Sequence, residues 1–174
     1  METVSKNTFH QSLTMENNSR IKFDKEFIGL GLYQFLGGIA GLIFLFCSIY
    51  QTGFSIIPEF FKPLILFFFI LYSIICGILC LKIHELALTL SYINQLMQLV
   101  AIGVGGYFYR YVSGLYLSLH FDFKHGPDFY FGFGLSNMAL RFNTNSYSYM
   151  IEINLVAIAV MICIDKLRNR IRAE

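Results

Sequence analysis

Charge is scarce in this chain. Only 14% of its 174 residues are Asp, Glu, Lys or Arg, where an average soluble domain carries about a quarter. Thirteen cations against eleven anions leave a formal net charge of +2, too even for a surface that tracks phosphates. Catalytic signatures are missing too. No Walker loop, dinucleotide fingerprint, H-E-x-x-H, nucleophile elbow or C-x-x-C pair occurs. The four cysteines, Cys47, Cys76, Cys80 and Cys163, all lie in apolar runs and make no disulfide framework. Cys76 and Cys80 are four apart and share a helical face, which is no more than half of a metal site. They read as small buried packing residues, and neither a metal nor another cofactor is expected. The polar, Asn-rich first 25 residues contain no apolar core of the kind a signal peptide needs.

Apolar residues fill the space that charge leaves. They make up 56% of the chain, with 17% aromatic and a mean hydropathy of +0.58. A soluble fold of this size keeps too much of its surface in water to hide so much oil-like surface. An ordinary cytosolic globule, a disordered tail and a nucleic-acid binder are excluded. An integral membrane protein is expected, with the lipid bilayer as its first partner.

Four runs are long enough to act as spans. Phe27 to Tyr50 carries no charge, and at ~1.5 Å per residue it is about 36 Å long, enough for a ~30 Å hydrocarbon core. Pro63 to Leu81 lies between Lys62 and Lys82, with Pro63 in the first turn, where a missing N–H costs nothing. Leu86 to Tyr109 follows at once. One helix over 63–109 would be ~70 Å long, so the chain must turn near His84 without Gly or Pro. The fourth run, Tyr147 to Ile164, contains Glu152 and Asn154. These runs predict a four-helix transmembrane bundle, 26–174, behind a partly disordered polar segment, 1–25. With both termini inside, nine Lys and Arg lie inside and four outside. The positive-inside rule then puts both termini on the cytoplasmic side of the cell membrane.

Between the third and fourth runs the pattern changes period. Leu115, Leu117, Leu119, Phe121 and Phe123 alternate with Tyr116, Ser118, His120, Asp122 and Lys124. After His125-Gly-Pro-Asp128, Phe129, Phe131, Phe133 and Leu135 alternate with Tyr130, Gly132, Gly134 and Ser136. Period two around a turn predicts a β-hairpin, about 113–143, on the outer side. A lone hairpin is marginal in water, so its Leu/Phe face needs headgroups, helix ends or a neighbouring copy. Its polar face, His120, Asp122 and Lys124, is expected in solvent. Metal or acid–base chemistry there would draw on His125 or Asp128 as well, but no known signature is met, and no catalytic or metal residue is assigned.

Other polar residues lie inside the apolar runs. Ser91, Asn94, Gln95 and Gln98 form a stripe on the third run, either as interhelical glue or as the lining of a polar path. Glu152 is the one carboxylate well inside an apolar run, expected at headgroup level or facing Arg110 or Arg141. Gly37-x-x-x-Gly41, Ser73-x-x-x-Gly77, Gly103 and Gly105 offer small-residue faces for helix packing. Together these features suggest action by association within the bilayer, as an accessory subunit of a larger assembly or a self-assembling pore-like effector. The partner would be a second copy or another membrane protein. A small carrier or channel using the Ser91–Gln98 stripe and Glu152 is the first alternative, and a membrane-embedded enzyme with an outer His/Asp site is the second.

Overall fold

The computed structural model describes residues 2–52, 57–84, 86–123, 127–142 and 149–173. It does not contain the expected four-helix transmembrane bundle. The described residues form four helices and a four-stranded antiparallel sheet. Among the described residues two helices are long and apolar enough to cross a membrane: α1 (Glu2–Thr52), over Lys25–Gln51, and α2 (Ile57–Leu81), over Phe61–Leu81. The third expected span divides into α3 (Ala87–Leu99) and β1 (Val100–Val104), and the fourth into β4 (Met150–Asn154) and α4 (Leu155–Ala173). Between them run β2 (Tyr107–Asp122) and β3 (Asp128–Arg141).

Local chemistry explains where the helices stop. After Leu99 comes Val-Ala-Ile-Gly-Val-Gly-Gly, β-branched and glycine residues that suit a strand better than a helix. Gly105 (φ +58°) and Gly106 (φ +89°) form the two-residue turn that pairs Val104 with Tyr107. Positive φ at both central positions is what a type I′ hairpin requires. Gly103 and Gly105 thus lie in a strand and a turn, not on a helix face. At the start of α4, Asn154 Oδ1 accepts the Val156 N–H at 3.1 Å, an N-cap that releases the chain from β4 into the helix.

The break between α2 and α3 is made without Gly or Pro. Ile83 takes φ +51°. The Ile83 N–H bonds the Cys80 carbonyl and the His84 N–H bonds the Leu79 carbonyl, both at 3.0 Å, the paired bonds of a Schellman C-cap. A β-branched residue is strained in this left-handed position, which favours glycine. Ile83→Gly is therefore expected to stabilise the protein by about 1 kcal/mol, read as a higher midpoint in thermal unfolding in detergent.

Helices meet at one end of the molecule. Phe27, Cys80, Ala87, Leu88, Ile164 and Leu167, from all four helices, form one core cluster. Arg170 pairs there with Glu26 at 2.8 Å. Higher up, Gly31 and Gly77 bring α1 and α2 together, since a Cβ on Gly77 would lie 2.6 Å from the Phe35 N. Gly37 does not face a helix. It meets the sheet, where its Cβ would lie 2.8 Å from the Ser113 O. Gly41 lies against Met138 and Ile70.

The sheet folds back on itself. The start of β2 pairs with β1, β1 with β4, and β4 with the end of β2, each pairing antiparallel. Those three pairings hold together only if the two ends of β2 run in opposed directions. Its ladder with β3 slips between Val112 and Leu115, where Gly114 has φ +111° and Ser136 of β3 has φ +41°. The β2–β3 hairpin expected over 113–143 thus exists but is longer, paired from Phe108 with Arg141 to Asp122 with Asp128, and bent at its middle.

Its faces are also the reverse of the expectation for water. Ser118 and His120 are buried, whereas Leu115, Leu117, Phe129, Phe131, Phe133 and Leu135 are exposed, Phe133 at 83%.

Candidate functional site

Polar side chains line the interior from the helices into the sheet. Gln34 of α1, Ser73 of α2 and Ser91, Asn94, Gln95 and Gln98 of α3 are buried. Ser91 Oγ donates to Gln34 Oε1 at 3.1 Å, and Cys80 Sγ lies 3.2 Å from Ser91 Oγ. Asn94 Nδ2 and Ser113 Oγ both donate to Ser73 Oγ, at 3.2 and 3.1 Å. Tyr111 donates its hydroxyl to the Phe69 carbonyl at 2.7 Å. Gln98 Oε1 takes the Ser113 N–H at 2.9 Å, and its own carbonyl accepts from Asn154 Nδ2 at 3.4 Å. The last two satisfy the Ser113 N–H at the slip in β2 and the Gln98 carbonyl at the end of α3, backbone groups costly to leave bare away from water.

Above this spine lies a charged cluster. Arg110 of β2 forms an ion pair with Glu152 of β4, which is 2% exposed. Glu152 stands directly across from His120 on one side and Ala101 on the other. Its Oε1 is 3.5 Å from His120 Nε2. The pair joins the first half of β2, through Arg110, to the strand beside its second half. It thereby clamps the fold-back.

His120 has its tautomer assigned by its neighbours. An Arg110 Nη lies 3.5 Å from His120 Nδ1, and a guanidinium can only donate. Nδ1 therefore accepts and Nε2 carries the proton, directed at Ser118 Oγ at 2.9 Å. Ser118 in turn donates to the Gly132 carbonyl at 3.3 Å. A nucleophilic serine needs the opposite arrangement, a ring nitrogen that accepts its proton. The imidazole stacks on Tyr130, with centroids 4.5 Å apart and 10° between planes. Gly132 makes room for it, because a Cβ there would lie 2.5 Å from Nε2.

The sequence-predicted residues thus separate. Ser91, Asn94 and Gln98 join the spine and Ser73 is its hub. Glu152 and His120 come together in the cluster. Asp122 lies at the far end of β2, paired with Asp128 across the ladder. Lys124 and His125 lie outside the described residues. Among the described residues no three His, Cys, Asp or Glu side chains are grouped to hold a metal. Sequence reasoning does not reach Gln34, Tyr111, Ser113 or Ser136. Gln34 had a signal, as an amide inside the charge-free run Phe27–Tyr50. The other three owe their burial to the bend in the hairpin, which alternation alone does not announce.

Buried polar atoms without a partner mark where the interior is not satisfied. Among the described residues they are Gln34 Nε2, both amide atoms of Gln95, Gln98 Nε2 and Arg110 Nε. The crevice bounded by Gln98, Ala101, Tyr111, Glu152 and Asn154 is too narrow to hold a water molecule. No family model matches this chain, and no curated protein and no solved structure is similar to it.

Proposed function

We propose that this chain is an embedded multi-pass membrane protein that acts by association within the bilayer, as a subunit or self-assembling element rather than as a catalyst. One observation carries the reading: polar side chains are buried within the core while large apolar ones are left outside. Phe131 and Phe133 are 72% and 83% exposed, while Gln34, Asn94, Gln95 and Ser118 have no exposure at all. Water favours the reverse arrangement. Lipid around the molecule removes the cost of the exposed apolar surface, and hydrocarbon requires polar groups to be paired internally.

Depth is consistent across the elements. Gly37 lies about 18 Å along α1 from Lys25 at ~1.5 Å per residue, and α3 rises about as far before becoming β1. The sheet then occupies the far half of the layer, with Asp122 and Asp128 at its outer rim. Lys25, Lys82, Lys166 and Arg168 lie at the opposite, helical end, which the positive-inside rule assigns to the cytoplasm. Washing membranes at alkaline pH tests the reading. The protein should stay in the pellet, and release into the supernatant would contradict it.

One observation favours a polar path as a second reading: Gln95, fully buried, has neither amide atom bonded. Gln95→Leu removes an unsatisfied group and should stabilise the fold by about 1–3 kcal/mol. Gln98→Leu strands the Ser113 N–H and should destabilise it by a similar amount. Thermal unfolding in detergent reads both signs. A path through α3 additionally requires that Gln95→Leu abolish solute flux into vesicles despite the gain in stability, whereas association alone leaves no flux to lose.

A further inference from the structure

We propose that the outer edge of β3, over Asp128–Leu135, pairs with the same edge of a second copy of this chain inside the bilayer. The inference rests on the membrane reading above and deepens it by naming the partner and the contact.

β3 is the last strand of the sheet. One of its edges is taken by β2, and among the described residues no strand or other backbone group pairs with the other. The remaining strands leave no comparable opening, because β2, β1 and β4 are paired to one another in turn. The upper part of β3 is backed by helices, with Met138 against Gly41 of α1 and in one cluster with Ile70 of α2. The arm Asp128–Leu135 has no such cover, and Phe129, Phe131, Phe133 and Leu135 are all exposed.

Depth turns this bare edge into a requirement. Leu135 pairs with Leu115, whose carbonyl accepts the Tyr33 hydroxyl at 3.1 Å, so this end of the arm meets α1 within its apolar stretch Lys25–Gln51. Lipid covers the phenyl rings without cost, but it offers nothing to the N–H and C=O groups along the edge. Each unsatisfied group costs several kcal/mol in hydrocarbon, and open sheet edges do not occur there. Another strand must supply the bonds.

A second copy fits without any further element. An edge laid antiparallel against itself about a two-fold axis is self-complementary, as an isologous contact must be. The arm contains no proline or charge from Phe129 to Leu135, the features by which proteins usually block an edge strand. Gly132 and Gly134 do not weaken it on its inner face, because His120 and Tyr116 lie across them.

Disulfide scanning tests the contact. The exposed cysteines are first removed as Cys47→Ser and Cys163→Ser. Phe129→Cys, Phe131→Cys, Phe133→Cys and Leu135→Cys are then made singly, with Ile43→Cys on the lipid face of α1 as control. After oxidation in native membranes, the strand variants should give a band at twice the 20.0 kDa chain mass. Yield should peak at one position, fall on either side of it, and exceed the Ile43→Cys yield. Unmodified protein in mild detergent should also have the mass of two chains. Strand variants that cross-link no better than Ile43→Cys, or that link to a different protein, would overturn the proposal. So would a monomeric mass in detergent for protein that stays in alkali-washed membranes, which leaves the membrane reading intact. Release by alkali is scored separately and overturns the membrane reading itself, and with it the need for a paired edge.

Discussion

Glu152→Ala is expected to cost about 3–5 kcal/mol of stability, the largest loss from any single substitution in this chain. Glu152 is almost wholly enclosed, and its partner Arg110 has a side chain only 14% exposed. Removing the carboxylate leaves the guanidinium buried without a counter-charge, with its Nε already unpartnered. The loss reflects that stranded charge rather than the worth of the pair. Arg110→Met combined with Glu152→Leu should therefore recover most of it, since a buried pair replaced by apolar side chains of similar size is often neutral or better. Unfolding of the two single variants and the double variant in detergent, taken as a cycle, measures the coupling directly. A Glu152→Ala protein as stable as the parent would show that the clamp across the folded-back β2 contributes nothing.

Gly37→Leu should be the second most damaging change, at about 1–3 kcal/mol or more. A Cβ at Gly37 meets the Ser113 O and the Gly114 Cα at 2.8 Å. Both are backbone atoms at the bend of the hairpin, so no side chain can swing aside. Gly114 itself has φ +111°, which leaves the bend no freedom to retreat. Ser136 Oγ, which accepts the Gly114 N–H at 3.0 Å and donates to the Gly37 carbonyl at 3.4 Å, would lose its place as α1 moves off. A Cβ at Gly29 would have nothing within 4 Å, so Gly29→Leu should change stability by less than about 0.5 kcal/mol and serves as control. Equal losses at the two positions would mean that α1 does not rest on the sheet.

Part of this architecture is plain in the sequence. The charge-free runs Phe27–Tyr50 and Pro63–Leu81 lie within α1 and α2, apolar stretches long enough to span as helices. The alternation over Leu115–Ser136 indicates the hairpin but not its register, since period two places every second side chain on one face without fixing which residues pair. The turn near His84 followed from length alone. What failed was the identity of the third and fourth runs. A run such as Leu86–Tyr109 is equally apolar as a helix or as a helix leading into a buried strand, and hydropathy does not separate them. The signal was local: Gly103, Gly105 and Gly106 among β-branched residues favour a strand and a turn, yet those glycines read equally well as packing positions. Ser91, Asn94, Gln98 and Glu152 were visible as polar residues out of place. Ser113, the partner of Gln98, and Arg110, the partner of Glu152, reach them through the fold-back of β2, a long-range arrangement centred on the bend at Ser113, Gly114, Leu115 and Ser136. The direction of the hairpin does not follow from its pattern. A polar strand face ordinarily seeks water, but in this molecule Ser118 and His120 are satisfied inside.

The central claim is that the apolar face of the sheet contacts hydrocarbon. Its most direct measurement is a nitroxide spin label at Phe133, read for collision with oxygen, which concentrates in lipid, against a water-soluble nickel chelate. Contact with lipid predicts oxygen broadening well above that of the chelate, matching a label at Phe68 on the exposed face of α2. Chelate collision at Phe133 as frequent as for a label on a water-exposed loop would contradict it.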